Sequence, residues 1–424
     1  MKPILVLALA FCGVCGIAQG TAAENPKTPD AIPETGHAQP ETAPLDELMR
    51  SFVKEHETPG AALAVARRGK LVYARGFGFA DVEHGTLVQP DSLFRIASIS
   101  KPITAMAILR LVDLGKLKTS DPVLKLVKFK PADGAAGPAD ARWHGVTVLH
   151  LLQHTAGFDR AKSGDPMFRS VDIATELGQK PPARPEAIIR HMLSRRLDFD
   201  PGTRYAYSNF GYCVLGRVIE SVAGMPYEKY VRDEILKPVG VTRMRIGATR
   251  EDQRAAGEVR YYTRDKRRGG SVFAADLGSS VPVQYGHWYL EAMDAHGGWI
   301  ASAVDLVRLA SSLDDDAQKR LLSPGALGVM FTPPAAPVAR DGNGNLAPTY
   351  YACGWQVRPV GGTGKINAWH AGGLDGTSTL LVRRHDGFTW AVLFNTDQTK
   401  DLRAPAAAID GLIHKAVDQV RRWP

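Results

Sequence analysis

The sequence predicts an α+β fold in which one antiparallel sheet is built from both ends of the chain and flanked by helices, with a mostly helical insert between. Three observations predict it. Ala61–Ala66 and Leu71–Gly78 are apolar, strand-like runs joined at Arg68-Gly69-Lys70, the pattern of a hairpin. Tyr351–Val357, Ile366–Trp369, Thr377–Val382 and Phe388–Phe394 repeat that pattern near the other end, and Asp386-Gly387 makes the last two a hairpin. Between the two ends, apolar residues recur mainly at helical spacing.

The chain has 424 residues, enough for one large domain or a few smaller ones. With 44% hydrophobic and 23% charged residues, it has the composition of a globular protein. Its formal charge of +8 would suit an anionic partner such as a cell-wall polymer, but the basic residues are dispersed. The one dense run, Arg264-Asp265-Lys266-Arg267-Arg268, reads as a solvated loop, and no aromatic interleaving points to nucleic acid. Lys2 followed by the apolar run Ile4–Ala18, with small residues around Gly20 and Ala23, has the form of a secretory signal peptide over residues 1–23. Lipidation at Cys12 or Cys15 is the lesser alternative, because Phe11 and Val14 are bulky where small residues are expected. An exported product, periplasmic or secreted and with no transmembrane segment in the mature chain, is therefore expected. Residues 24–43, rich in Pro, Ala, Glu and Thr, read as a flexible linker, and 44–424 as the folded domain. Its sheet part takes in about 44–97 and 350–424, and its helical part about 98–349. Cys213 and Cys353 lie in apolar segments and read as small buried hydrophobes. The compartment permits a disulfide between them, and the spacing leaves that open.

Taken in order, Leu45–His56 is helical by periodicity and precedes the first hairpin. Ile103–Leu114 is apolar on almost every face, interrupted only by Thr104, Arg110 and Asp113, and so reads as a buried helix ending at Gly115. Val146–His154, Pro185–Leu197, Phe210–Val222 and Pro226–Leu236 continue the helical pattern, and 262–296 reads as a long surface excursion. Ser302 and Asp305 resemble a capping box before a helix over Ala303–Leu313. Residues 332–348 form a loop, and a last helix runs from about Leu402 to Val420.

Three short motifs carry chemistry. Ser98-Ile99-Ser100-Lys101 opens the buried helix, placing a hydroxyl and an amine on one face in poorly solvated surroundings. Desolvation lowers a lysine pKa, and a neutral lysine accepts a serine proton, which makes Ser98 a nucleophile. Read alone the motif is weak: Ser51-Phe52-Val53-Lys54 repeats it, and Ser98 could serve only as a helix cap. Tyr207-Ser208-Asn209 precedes the helix at Phe210, where Ser208 or Asn209 could likewise be a cap. Tyr207, with its pKa lowered by Lys101 beside it, is the expected base for Ser98, since a phenol alone titrates near pH 10. His370-Ala371-Gly372-Gly373 ends a strand. Its glycines suit a tight turn or the close approach of a backbone N–H to a substrate carbonyl, pairing Gly373 with Ser98 as an oxyanion hole.

In that order, Ser-x-x-Lys, Tyr-Ser-Asn and His-x-Gly resemble the serine β-lactamase and penicillin-binding-protein superfamily, class C type. That group includes class C β-lactamases, D,D-peptidases, D-aminopeptidases and family VIII esterases. Leu151–Phe158, Pro201-Gly202 and Gly297-Gly298-Trp299 with Asp305-Leu306 extend the resemblance over about residues 45–415. The resemblance implies a β-lactamase/transpeptidase-like fold and acylation of Ser98, with Lys101 and Tyr207 handling its proton. It also implies that Asn209, His370 and Gly372 contact the substrate. Where class C β-lactamases carry Lys-Thr-Gly, this chain has His370-Ala371-Gly372, so a permanent cation for a β-lactam carboxylate is missing.

The expected function is hydrolysis of an ester or amide carbonyl, in a small molecule or a peptide such as a cell-wall peptide. The alternatives are a penicillin-binding D,D-peptidase or D-aminopeptidase, or a catalytically silent binding module of the same fold. No histidine has metal-ligand spacing, and no G-x-S-x-G or phosphate loop is present, so neither metal nor cofactor is expected.

Overall fold

The strand Gly60–Arg67 explains the layering. Its alternate residues Ala61, Leu63 and Val65 face one apolar cluster, and Ala62, Ala64 and Ala66 face another, so both surfaces of the sheet are covered. The larger side chains of the first set pack with Phe77, Trp390 and Val392 under two helices, Ala43–Glu55 and Pro405–Gln419. The alanines on the other face leave room for the helix Ala303–Ser311, whose Leu306 and Ala310 belong to the same cluster.

The computed structural model describes residues 31–314 and 320–424. The main sheet runs in the spatial order Glu34–Thr35, Lys70–Asp81, Gly60–Arg67, Phe388–Phe394, Thr377–Arg383, Lys365–Leu374, Gln356–Val360 and Tyr350–Tyr351, every pair antiparallel. Thr86–Leu87 adds to Lys70–Asp81. Ala61 pairs with Phe394 and Arg67 with Phe388, so the sheet is closed across its middle by the two chain ends, as expected.

Several expectations are corrected. The leader over 1–23 and the first residues of the linker lie outside the described residues. The rest of the linker is not free: Ile32 is buried, Glu34–Thr35 pairs with Gly76 and Phe77, and Glu34 lies between Arg50 at 2.6 Å and Arg75 at 3.0 Å. Two buried side chains, Ile32 and Thr42, and a two-fold charge clamp are enough to dock a segment of low-hydrophobicity composition. The insert is mostly helical but holds a small sheet, Phe94–Arg95 and Arg245–Ile246 on either side of Trp299–Ala301. The 262–296 excursion contains the hairpin Arg268–Gly270/Ser280–Pro282 and buries Tyr285, Trp288, Leu290 and Met293. Two arginines of the basic run within it are paired locally, Arg264 with Glu57 (2.8 Å) and Arg267 with Asp397 (2.8 Å) and Asp375 (3.1 Å). Cys213 and Cys353 are buried free thiols.

The helix Ser100–Asp113 runs through the middle of the insert, with every residue from Ser100 to Leu109 buried. Its polar residues are satisfied by specific partners. Thr104 Oγ1 donates to the Ala295 carbonyl at 2.6 Å and contacts Tyr227 Oη at 2.7 Å. Asn209–Ala223 packs against it, capped by Ser208 Oγ, which accepts from the Gly211 N–H at 3.1 Å.

Candidate active site

Ser98 sits in a 3-10 turn, Ala97–Ile99, between the strand Phe94–Arg95 and the buried helix. Ala97 has φ +46°, a left-handed conformation rare for a residue with a Cβ and typical of strained turns at functional sites. The turn is held from above by the sheet: Thr377 Oγ1 donates to the Arg95 carbonyl at 2.9 Å and Thr379 Oγ1 to the Ile96 carbonyl at 3.1 Å.

Lys101 Nζ lies 3.1 Å from Ser98 Oγ, 2.8 Å from Asn209 Oδ1 and 2.9 Å from the His296 carbonyl. Burial holds its pKa well below the usual lysine value. Asp165 opposes that depression and Arg160 adds to it. A neutral amine has two hydrogens and one lone pair. Asn209 Oδ1 and the His296 carbonyl can only accept, so in the neutral form they take both hydrogens and leave the lone pair for the Ser98 hydroxyl, whereas the ammonium form donates to all three oxygens. The Asn209 amide is oriented by its other end, where Nδ2 donates to Asp165 Oδ2 at 2.7 Å.

Tyr207 Oη donates to Ser98 Oγ at 2.8 Å. Lys101 lies over the face of the Tyr207 ring, 4.7 Å from its centroid. The sequence suggested that this cation lowers the phenol pKa. The structure reverses the sign, because burial of the phenol raises its pKa, and the hydrogen bond with Ser98 only partly offsets the rise. Tyr207 is therefore a neutral proton donor at rest, and the basic group beside Ser98 is Lys101.

The third motif lies inside a strand, Lys365–Leu374, and the turn comes later at Asp375-Gly376. Gly372 and Gly373 then have different tasks. A Cβ on Gly372 would stand 2.2 Å from the Ile96 carbonyl oxygen and 2.3 Å from Thr379 Oγ1, whereas one on Gly373 would meet nothing within 4 Å. Gly372 is the residue that lets the strand lie on the nucleophile turn. Leu374 pairs with Thr377 across the two-residue turn, so Gly373–Ser378 is a non-hydrogen-bonded pair. The Gly373 N–H is thereby turned away from Thr377–Arg383, to the side that Gln356–Val360 no longer covers.

His370 is buried and both ring nitrogens are engaged. Nδ1 lies 2.7 Å from the Ala371 carbonyl, which can only accept, so Nδ1 carries the proton and Nε2 accepts from Tyr351 Oη at 3.0 Å. Burial, and after it the nearby Lys101, lowers its pKa to about 3, so the ring is neutral. The expectation that the His370 side chain contacts substrate is revised accordingly, since both its ring nitrogens are engaged, whereas Asn209 keeps a second Nδ2 hydrogen beyond the one given to Asp165.

Asp165, Tyr351 and the His296 carbonyl were missed by sequence reasoning. Asp165 caps the turn Pro166–Phe168, accepting from the Met167 N–H at 3.1 Å, and Asp-Pro marks such a cap without showing that its other oxygen reaches Asn209. Ser51 and Lys54, the second copy of the motif, lie on the outer helix Ala43–Glu55 and take no part in the site. Among the described residues, no group of three His, Cys, Asp or Glu side chains is placed to hold a metal.

The beta-lactamase family model matches residues 45–414, almost the whole folded region and every group just described. The chain belongs to the beta-lactamase family. It is 27% identical over 345 residues to a penicillin-binding protein of Bacillus subtilis (strain 168), covering 81% of this chain and 69% of the relative. It is 35% identical over 215 residues to the esterase EstB of Burkholderia gladioli, covering 47% of this chain and 50% of the relative. The structure superposes on a D-amino acid amidase from Ochrobactrum anthropi SV3 with a TM-score of 0.68 at 19% identity, covering 91% of this chain and 100% of the amidase. This last likeness is one of fold. Among the described residues of this beta-lactamase family member, no helix is long and apolar enough to cross a membrane.

Proposed function

We propose that this protein is a serine hydrolase that cleaves an ester or amide through an acyl-enzyme on Ser98. The observation that carries the reading is the geometry around Lys101, whose Nζ lies 3.1 Å from Ser98 Oγ and is held there by Asn209 Oδ1 and the His296 carbonyl. In the acylation step the Ser98 proton passes to Lys101 Nζ and Oγ bonds to the substrate carbonyl carbon. The oxyanion is held by the N–H groups of Ser98 and Gly373. As the bond to the leaving oxygen or nitrogen breaks, Tyr207 gives that atom its proton, and the proton on Lys101 neutralises the phenolate. In the second step water attacks the acyl carbon and its proton returns Ser98 to the hydroxyl form. One water is consumed, and one acid and one alcohol or amine are formed. Asn209 keeps Lys101 aimed, Asp165 keeps Asn209 aimed, and Gly372 and His370 seat the strand that presents Gly373.

The neutral His370 in place of a lysine favours an ester or peptide-like amide over a β-lactam, and the esterase relative supports that order. A silent binding module is disfavoured because serine, lysine and tyrosine are all present and in contact. We also propose export, on the pattern of Lys2 and Ile4–Ala18. The testing experiment is steady-state hydrolysis of para-nitrophenyl acetate together with the intact mass after exposure to a penicillin. Ser98→Ala should lower turnover by about 1000-fold or more and abolish any adduct. Wild-type turnover in that variant would overturn the proposal.

A further inference from the structure

Arg160 stands out among the arginines around the site. Arg204 is paired with Asp159 at 2.7 Å, Arg142 with Asp140 at 2.6 Å and Asp200 at 2.7 Å, and Arg169 reaches Asp172 and Glu176. Arg160 is exposed, and among the described residues no carboxylate lies within ion-pair distance of it. Its guanidinium carbon lies 4.8 Å from the centroid of the Tyr207 ring, the ring whose hydroxyl donates to Ser98 Oγ. Stacking on an aromatic face restrains a guanidinium while leaving its N–H edges free.

The other cations give no alternative. Lys101 is buried beneath Ser98 with its hydrogens committed, and His370 is neutral with both nitrogens engaged. Of the nearby anions, Asp165 is occupied by the Asn209 amide and the Met167 N–H, and Asp159 by Arg204. A permanent cation with free donors thus lies over the group that protonates the leaving atom.

We propose that Arg160 is a specificity-determining residue that binds a carboxylate carried on the leaving-group side of the substrate. The proposal rests on the hydrolase reading above and names its substrate class, an ester or amide whose departing alcohol or amine is anionic. A guanidinium offers a carboxylate two parallel N–H bonds, and a lysine offers a point charge only.

The test compares kcat/KM for meta-acetoxybenzoate with that for its neutral methyl ester, in wild type, Arg160→Gln and Arg160→Lys. The charged-to-neutral ratio should fall about tenfold in Arg160→Gln, recover in part in Arg160→Lys, and shrink with added salt in wild type and Arg160→Lys but not in Arg160→Gln. An unchanged ratio, including an equal fall for both esters, would overturn the proposal and leave Arg160 acting through Tyr207. A ratio that falls only for para-nitrophenyl hemisuccinate against para-nitrophenyl butyrate would overturn the placement on the leaving-group side. Calorimetric binding of meta-hydroxybenzoate, weakened about tenfold in Arg160→Gln, tests the site independently of turnover. Loss of that difference counts against Arg160, and absence of ester turnover in wild type counts against the hydrolase reading.

Discussion

Gly372 and Ile96 touch so closely that a single methyl group separates a working nucleophile turn from a displaced one. A Cβ on Gly372 would lie 2.2 Å from the Ile96 carbonyl oxygen, an atom that already accepts from Thr379 Oγ1. Gly373, one residue on, has open space at the same position. Adjacent glycines should therefore respond in opposite ways. Gly372→Ala is expected to lower kcat/KM by about 100-fold and stability by about 2–3 kcal/mol, because backbone on both sides must shift. Gly373→Ala keeps its N–H and should stay within about threefold of wild type, while Gly373→Pro removes the N–H and should lower kcat by about 100-fold. Ester kinetics and urea unfolding of the three variants check this. Equal loss in both alanine variants would overturn the division of labour.

The acid limb of the activity profile should belong to Lys101. Only its neutral form accepts the Ser98 proton, so kcat/KM should rise with pH through a pKa well below that of an ordinary lysine and then level off. Asp165 raises that pKa and also holds Asn209. Asp165→Asn should move the limb to lower pH while keeping the cap on Met167. A limb that stays in place would show that another group controls it.

Stability should be lost on acidification through His370. Its pKa falls from the ordinary histidine value of about 6.5 to about 3 on folding, so between those values the unfolded chain is protonated at this residue and the folded one is not. The contribution is fully present above pH 6.5 and disappears as pH falls toward 3, by on the order of 3 kcal/mol or more. Burial depresses His154 and His296 in the same direction, so they steepen the same limb. Thermal melts should show His370→Gln flattening the limb without removing it. A limb of unchanged slope would place the acid sensitivity elsewhere.

These outcomes separate what local pattern conveys from what it does not. The strand Gly60–Arg67 and the buried helix from Ser100 were legible because their periodicity is set by which faces are covered. The Ser98, Lys101 and Tyr207 constellation was legible because each residue type has few uses beside the others. The sign of the Tyr207 shift was not, since it depends on a balance between burial and a nearby cation that spacing does not contain. The division of labour between Gly372 and Gly373 was hidden for a similar reason, because the clash that decides it comes from Ile96 and Thr379. The docking of residues 32–43 depended on Arg50 and Arg75 meeting Glu34, an event in space that their polar composition concealed.

Arg95 links the nucleophile turn to the 245–290 region and should be the most sensitive residue outside the site. It is fully buried and donates to the carbonyls of Gln284 (2.6 Å), Ala248 (2.8 Å) and Thr249 (3.1 Å), with its guanidinium over the rings of Tyr261 (4.4 Å), Trp288 (5.2 Å) and Tyr285 (5.4 Å). Glu258 Oε1 lies 3.9 Å from its Nε and accepts from Tyr261 Oη, which itself accepts from the Arg95 N–H at 2.7 Å. Removing the arginine orphans three carbonyls and a buried carboxylate at once. Arg95→Met is therefore expected to cost about 3–5 kcal/mol in urea unfolding. Adding Glu258→Gln should recover part of that loss, since the carboxylate no longer needs a counter-charge, and the recovery measures the coupling. Because the Arg95 carbonyl also receives Thr377 Oγ1 beside the catalytic turn, the folded single variant should lose kcat as well as stability. If kcat survives unchanged while stability falls, Arg95 supports the fold without reaching the nucleophile.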